Sequence, residues 1–212
     1  MRTIVYVDGF NLYYGALKGT PFKWLNLQEL FRRVLAQDKH SLVAIKYFTA
    51  RVQPNETDPD VNIRQDSYIQ ALAVAAPLVQ VTFGHFLRHA VRMPAVTPPP
   101  KTHYVYKTEE KGSDVNLALH VLNDAWRDAY DCAVIVSNDS DLAESMCMVK
   151  LHHPHKVLGL ITPGAPQRKT SQQLKQHADF QRPLRASALM ASQLPASIEL
   201  PSGGAVVRPA TW

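Results

Sequence analysis

Short apolar runs and amphipathic stripes take turns along this chain. Residues 2–7, Arg-Thr-Ile-Val-Tyr-Val, are β-branched and aromatic without alternation, which predicts a strand covered on both faces. Asn26 opens a helix with Glu29 three positions on, a capping-box spacing, and Leu27, Leu30, Phe31, Val34 and Leu35 form its apolar stripe. Residues 43–52 read as a second strand. After a turn-rich stretch over 54–59, a helix over 61–76 stops at Pro77, because proline cannot continue the helical hydrogen-bond ladder. Residues 78–87 give a third strand, and the four prolines of 94–100 an extended loop.

Ser113 stands where it would cap a helix reaching about residue 129, with Val115, Ala118, Leu122 and Ala125 turned to the core. Residues 132–136 are another buried strand, and a helix over 142–151 leads to a strand over 156–161. A Pro-Gly turn, a Gln/Lys-rich helix and an edge strand near Phe180 follow, and beyond Pro195 the chain is rich in Pro, Gly and Ser. The expected organisation is one domain over 1–194 and a tail over 195–212 that wraps the body or frays. Strands alternating with helices imply an α/β fold: a doubly wound, mainly parallel sheet with helices on both faces, since parallel neighbours need crossovers.

In such sheets ligands bind beyond the carboxyl ends of the strands, at the point where strand order reverses. Four acids fall at those ends. Asp8 closes the first strand, Asp139 and Asp141 lie in the turn after residues 132–136, and Asp114 lies in the first turn of a helix. Each alone has a plain structural explanation, because Asp caps helices and fills turns. As a set they point to a cation, since clustered carboxylates repel one another and resist common ionisation. Oxygen-only ligands suit a hard ion such as Mg2+ or Mn2+.

Composition narrows the partners. With 212 residues, 46% hydrophobic and 19% charged, the chain is a folded one with room for one sizeable core. No run approaches the roughly 18 apolar residues of a membrane span, and Asp8 comes too early for a signal peptide, so a cytoplasmic protein without membrane contact is expected. Cys132 and Cys147 sit in apolar runs and read as reduced core thiols. A net charge of +5 favours a polyanion. Arg88, Arg92, Lys101, Lys107 and Lys111 share one segment with His89, His103, Tyr104 and Tyr106, a mixture suited to single-stranded nucleic acid and equally to a solvated loop and edge strand.

Three blocks, Val7-Asp8-Gly9-Phe10-Asn11-Leu12, Lys111-Gly112-Ser113-Asp114-Val115 and Val136-Ser137-Asn138-Asp139-Ser140-Asp141-Leu142, resemble in order and spacing the signature blocks of the NYN domain, in its LabA-like bacterial branch within the PIN-like nucleases. The similarity extends to Ser192-Gln193-Leu194-Pro195. The resemblance implies metal-dependent RNA cleavage, with Asp8, Asp114, Asp139 and Asp141 as metal ligands and Asn11 as a polar auxiliary. Related sequences often carry another acid six residues after the Asp114 position, where this chain has His120, which leaves one or two ions open. His120 otherwise shares a stripe with Asn116 and Asn123 and is expected on a solvated face.

The expected chemistry is metal-assisted hydrolysis of a phosphodiester, with RNA, single-stranded, as partner and Arg51, Lys107 and Lys111 holding the flanking strand. A homo-oligomer is compatible with the sequence. A haloacid-dehalogenase-like phosphatase would need a second Asp where Phe10 stands. An RNA-binding or regulatory module that cuts poorly would keep the same residues, because turnover depends on finer placement than sequence records. Ser137 and Ser140 lack a His/Asp relay, and His152-His153-Pro154-His155 lacks the fixed spacing of a zinc site.

Overall fold

The first apolar run forms β1 (Arg2–Asp8), buried from Thr3 onward, at the middle of a seven-stranded sheet. This computed structural model describes residues 1–97, 99–164 and 169–212. β2 (Ser41–Ala50) and β5 (Cys132–Val136) flank β1 in parallel register. β3 (Val79–Pro94) extends the sheet on one side, β6 (Val157–Thr162) and β7 (Phe180–Pro183) on the other, all parallel. The edge strand β4 (Thr102–Lys111) is antiparallel, and the order is β4-β3-β2-β1-β5-β6-β7. This is the expected α/β architecture, and its strand order reverses between β1 and β5, on either side of Asp8 and Asp139.

Two apolar layers cover the sheet. On one face Val5, Val7 and Ile45 pack with Leu30 and Phe31 of α2 (Leu27–Val34), Leu72 of α3 (Val61–Ala75) and Trp24. On the other, Tyr6, Ile135 and Leu160 meet Leu117 and Val121 of α4 (Ser113–Trp126), Met146 of α5 (Ala143–His152) and Leu174 of α6 (Gln172–Lys175). Asn26 caps α2 as its sequence implies, accepting from Glu29 N at 3.1 Å. The box does not close, because Asn26 N already donates to Ser192 O at 2.8 Å, and Glu29 turns to Arg32 instead.

α4 departs from expectation in phase. Its cap is Gly112, held at φ 94° where an L side chain is strained, and Ser113 is the first helical residue, donating its N–H to Glu110 Oε1 at 3.1 Å. Leu117, Val121, Asp124 and Ala125 therefore face inward, and Val115 is 62% exposed. The buried acid fixes this rotation: Asp124 Oδ2 accepts from Tyr6 OH at 2.7 Å and from Lys46 Nζ at 2.6 Å. His120 joins this cluster, 3.3 Å from Lys46 Nζ and edge-on to Phe48, and is half-buried rather than on a solvated face.

β3 runs well past its expected end. It leaves β2 at Gly84, opposite Ala50, and from His85 to Pro94 pairs with β4 alone as a two-stranded ribbon projecting beyond the sheet. The proline-rich stretch expected as a loop is the ribbon's turn, within which Pro98 lies outside the described residues; residues 165–168 lie outside them as well. α7 (Ala186–Met190) and the hairpin of β8 (Ser197–Glu199) and β9 (Ala205–Val207) wrap back onto the α2/α3 side, where Ile198 and Val206 enter the core and Trp212 packs against Trp24 and Tyr68. Among the described residues no helix is long and apolar enough to cross a membrane.

Removing Asp124 would strand a nearly buried ammonium and a buried phenol. Asp124→Ala is expected to destabilise the fold by about 3 to 5 kcal/mol, the cost of leaving one partner of a buried pair uncompensated. Urea unfolding monitored by circular dichroism checks it through the midpoint, with the slope unchanged.

Candidate active site

Asp8 ends β1 with its side chain 2% exposed and immediately caps α1 (Gly9–Leu12). Its Oδ1 accepts from Asn11 N at 2.9 Å, and its Oδ2 accepts from Asn11 Nδ2 at 2.8 Å and Ser137 Oγ at 2.8 Å. Gly9 follows because a Cβ there would come within 2.7 Å of Phe48 O, so the chain can turn off β1 against β2 only without a side chain.

The loop after β5 is built on the same carboxylate. Ser137 Oγ, donating to Asp8, accepts from Asp139 N at 3.0 Å, and Asp139 Oδ1 accepts from Asp141 N at 3.1 Å, starting the single 3-10 turn Ser140–Leu142. Asn11 Oδ1 accepts from Asn138 N at 3.3 Å, so both ends of the Asn11 amide are committed to protein groups. Asn11 is thus a positioning residue joining the first and third motif blocks. Ser137 donates its hydroxyl hydrogen bond to a carboxylate and has no imidazole partner among the described residues, which does not suit a serine nucleophile.

Asp114, in the first turn of α4, faces this pair of loops. Its carboxyl is pushed up to about 6, first by burial and then by the negative charges of Asp8, Asp139, Glu110 and Asp141. Asp8 is also raised, by burial first, against the opposing pull of its hydrogen bonds with Asn11 and Ser137, with Asp139 adding repulsion. The structure therefore brings all four expected acids into one electrostatic neighbourhood. It adds a fifth, Glu110 at the end of β4, which the sequence signals only by its place four residues before Asp114.

Among the described residues, no Lys, Arg or His is ion-paired with Asp8, Asp114, Asp139 or Asp141, although the chain has a net charge of +5. The cations expected to hold nucleic acid have other partners. Arg51 stacks on Phe83 and pairs with Asp66, and Lys107 and Lys111 flank Glu109 at 2.7 and 3.4 Å. His152 and His153 pack against the Trp126 ring, a contact of aromatic surfaces.

The donor set fits a hard divalent cation in chemistry and charge. Of the roughly four lone-pair positions on a carboxylate, Asp8 has three occupied, leaving it one on Oδ1, whereas Asp114 and Asp141 accept no protein hydrogen bond among the described residues. The side chains do not form a closed cage: among the described residues no three carboxylates, imidazoles or thiols are close enough to hold an ion by themselves. An ion such as Mg2+, which keeps several waters of its own, needs only one or two direct carboxylates and reaches the others through water.

A family model described as "NYN domain" matches residues 2–184. The chain is 32% identical over 238 residues to 6-hydroxy-3-succinoylpyridine 3-monooxygenase HspA of Pseudomonas putida (strain DSM 28022 / S16), an alignment covering 100% of this chain and 75% of that protein. The crystal structure of a protein of unknown function from Vibrio parahaemolyticus RIMD 2210633 matches at a TM-score of 0.56 and 17% identity, over 87% of this chain and 93% of that one. At that identity the likeness speaks for the fold alone.

The raised Asp114 carboxyl carries a sign that can be measured. The folded state holds the Asp114 proton more tightly than the unfolded chain does, so this group weakens the fold as pH rises from about 4 to about 6, and fully above that. Asp114→Asn in chelator is expected to raise the melting temperature at pH 7.5 by about 3 °C, taking about 1 kcal/mol after discounting for its half-exposed position, and to change nothing at pH 3.5. Paired melting curves at the two pH values check it.

Proposed function

The chain belongs to the NYN domain family, within the PIN-like nuclease superfamily, and from that premise we propose that it is a Mg2+- or Mn2+-dependent ribonuclease of the LabA-like branch. The observation that carries this is the group of strand-end acids, Asp8, Asp114, Asp139 and Asp141, left without a basic partner among the described residues of a basic protein. Such a group is stable only with a borrowed cation or a shared proton.

One or two of Asp8, Asp114, Asp139 and Asp141 would bind the ion directly and the others through its waters, Asp8 by the lone pair left on its Oδ1. When bound, the ion lowers the pKa of a coordinated water and neutralises charge developing on the phosphate. The protein's own contribution is placement. Asp8 fixes the loop after β5 through Ser137, and Asn11 keeps Asp8 and Asn138 in register. Asp114 must be ionised to act as a ligand, so occupancy and cleavage are expected to rise through about pH 6.

The test is purified protein on labelled single-stranded RNA with Mn2+, Mg2+ or chelator. Asp8→Asn and Asp139→Asn are each expected to lose activity by about a hundredfold or more, and Asn11→Ala by about ten- to a hundredfold, the range for residues that orient ligands. Cleavage that persists in chelator and in both Asp variants would overturn the proposal. So would RNA that binds and is never cut, which would fit the binding or regulatory module instead.

A second function is favoured by the relative from Pseudomonas putida, whose name gives a monooxygenase acting on 6-hydroxy-3-succinoylpyridine. An open cleft beyond the ends of β6 and β7, with Phe22, Leu184 and Leu189 in its wall and Lys18, Arg182 and Arg185 around it, has the chemistry to take an aromatic acid. Consumption of 6-hydroxy-3-succinoylpyridine with O2 and a two-electron donor, unaffected by Asp139→Asn, would support this function against the nuclease.

A further inference from the structure

The β3–β4 ribbon has two unlike faces, and we propose that one of them is a track on which single-stranded RNA lies as it enters the acidic site. The choice of RNA as occupant rests on the nuclease function above; the track itself is read from the ribbon. Cross-strand partners in an antiparallel pair share a face. Phe86 is opposite Glu110, Arg88 opposite Thr108, and Arg92 opposite Tyr104, so these even-numbered positions stand together. Leu87 opposite Glu109 and His89 opposite Lys107 form the reverse face.

The even face leads to the site. In the body of the sheet the β3 positions Thr82 and Gly84 pair with Phe48 and Ala50, and Phe48 packs in the layer under α4, the helix that carries Asp114 in its first turn. Even-numbered positions of β3 therefore continue the α4 side of the sheet. Contacts at the base agree: the Phe86 ring lies edge-on to Phe10 at 5.8 Å, two residues past Asp8, and Glu110 Oε1 accepts from Ser113 N at 3.1 Å, next to Asp114.

Further out, the same face carries exposed rings and cations. Tyr104 is 78% exposed and Tyr106 72%. The Arg88 guanidinium lies 4.6 Å over the Tyr106 ring, and Arg92 Nε donates to Thr102 Oγ1 at 2.7 Å, so both cations are held in place. Among the described residues neither arginine has a carboxylate partner, whereas Lys107 and Lys111 on the reverse face are tied to Glu109. Tyr104 and Tyr106 are two strand residues apart, about 6.8 Å, a separation that lets each ring take a different base of an extended strand. Exposed rings and unpaired arginines in alternation are what a sequence-tolerant single-strand platform requires. The polarity is also useful: phosphates are attracted along the arm and repelled by Glu110 and the aspartates at its base unless a cation is present there.

The test measures binding apart from cutting. Anisotropy of a 5′-labelled U-rich single-stranded RNA is followed in chelator, with wild type and three double variants, each checked by its melting curve. Y104A/Y106A is expected to weaken binding about tenfold or more. R88Q/R92Q should lower the log–log salt slope by about 1.4, at about 0.7 per lost phosphate contact, and K107Q/K111Q should change neither quantity. The proposal is overturned if the tyrosine pair binds like wild type or if the lysine pair carries the loss. It is equally overturned if sedimentation shows the tyrosine pair converting a wild-type dimer to monomer with RNA affinity unchanged, which would make β4 a self-association edge. The expected pattern in a protein that cuts no RNA keeps the track and removes the nuclease; cutting with binding indifferent to the tyrosines does the reverse.

Discussion

A carboxylate shut away from water at the end of the central strand organises everything around it. Burying Asp8 to 2% exposure costs several kcal/mol of solvation, and the cost is offset only if its oxygens are bonded where they stand. Asn11 N, Asn11 Nδ2 and Ser137 Oγ supply those bonds, and each comes from a segment that must therefore leave the sheet in a fixed direction. One bond starts α1. Another holds the first residue after β5, whose hydroxyl in turn receives Asp139 N, after which Asp139 receives Asp141 N. The placement of two surface acids thus depends on a chain of hydrogen bonds anchored at one buried acid.

The same edge stores unfavourable energy. A fold seeking stability alone would put lysines near so many aspartates, and this chain has the lysines. Lys46 is spent on Asp124, Lys156 on Asp128, and Lys150 on Asp179. The burden of the cluster, unpaired among the described residues, falls most visibly on Asp114, half-buried and near the carboxylates of Asp8, Asp139, Glu110 and Asp141. Sites that give up stability in this way are where function is held.

Much of this is legible in the order of residues along the chain. The alternation of apolar runs and amphipathic helices yields the doubly wound sheet, and Asp8, Asp139 and Asp141 follow because Asp8 ends one strand and the other two lie in the short turn after another, both strands having sharp boundaries. Asp114 is legible as an acid in a first helical turn, but its neighbour Glu110 is not, because it arrives on an antiparallel strand whose pairing partner lies across a proline-rich turn. Ser137 and Asn11 are visible as motif residues, yet their coupling through Asp8 is a contact between segments more than 120 residues apart, and no local pattern encodes it. The phase of α4 is hidden for a similar reason: Asp124 faces inward only because Lys46 and Tyr6 await it there. The faces of the ribbon depend on register, and one residue of slip would exchange the lysines with the tyrosines.

Whether the strand-end acids are assembled for a divalent cation is measured most directly by anomalous scattering from crystals grown with Mn2+. A peak is predicted at the carboxyl edge between β1 and β5, about 2.0 to 2.6 Å from carboxylate oxygens drawn from Asp8, Asp114, Asp139 and Asp141. An edge free of anomalous signal at saturating Mn2+, or a peak confined to the histidines near Trp126, would contradict it.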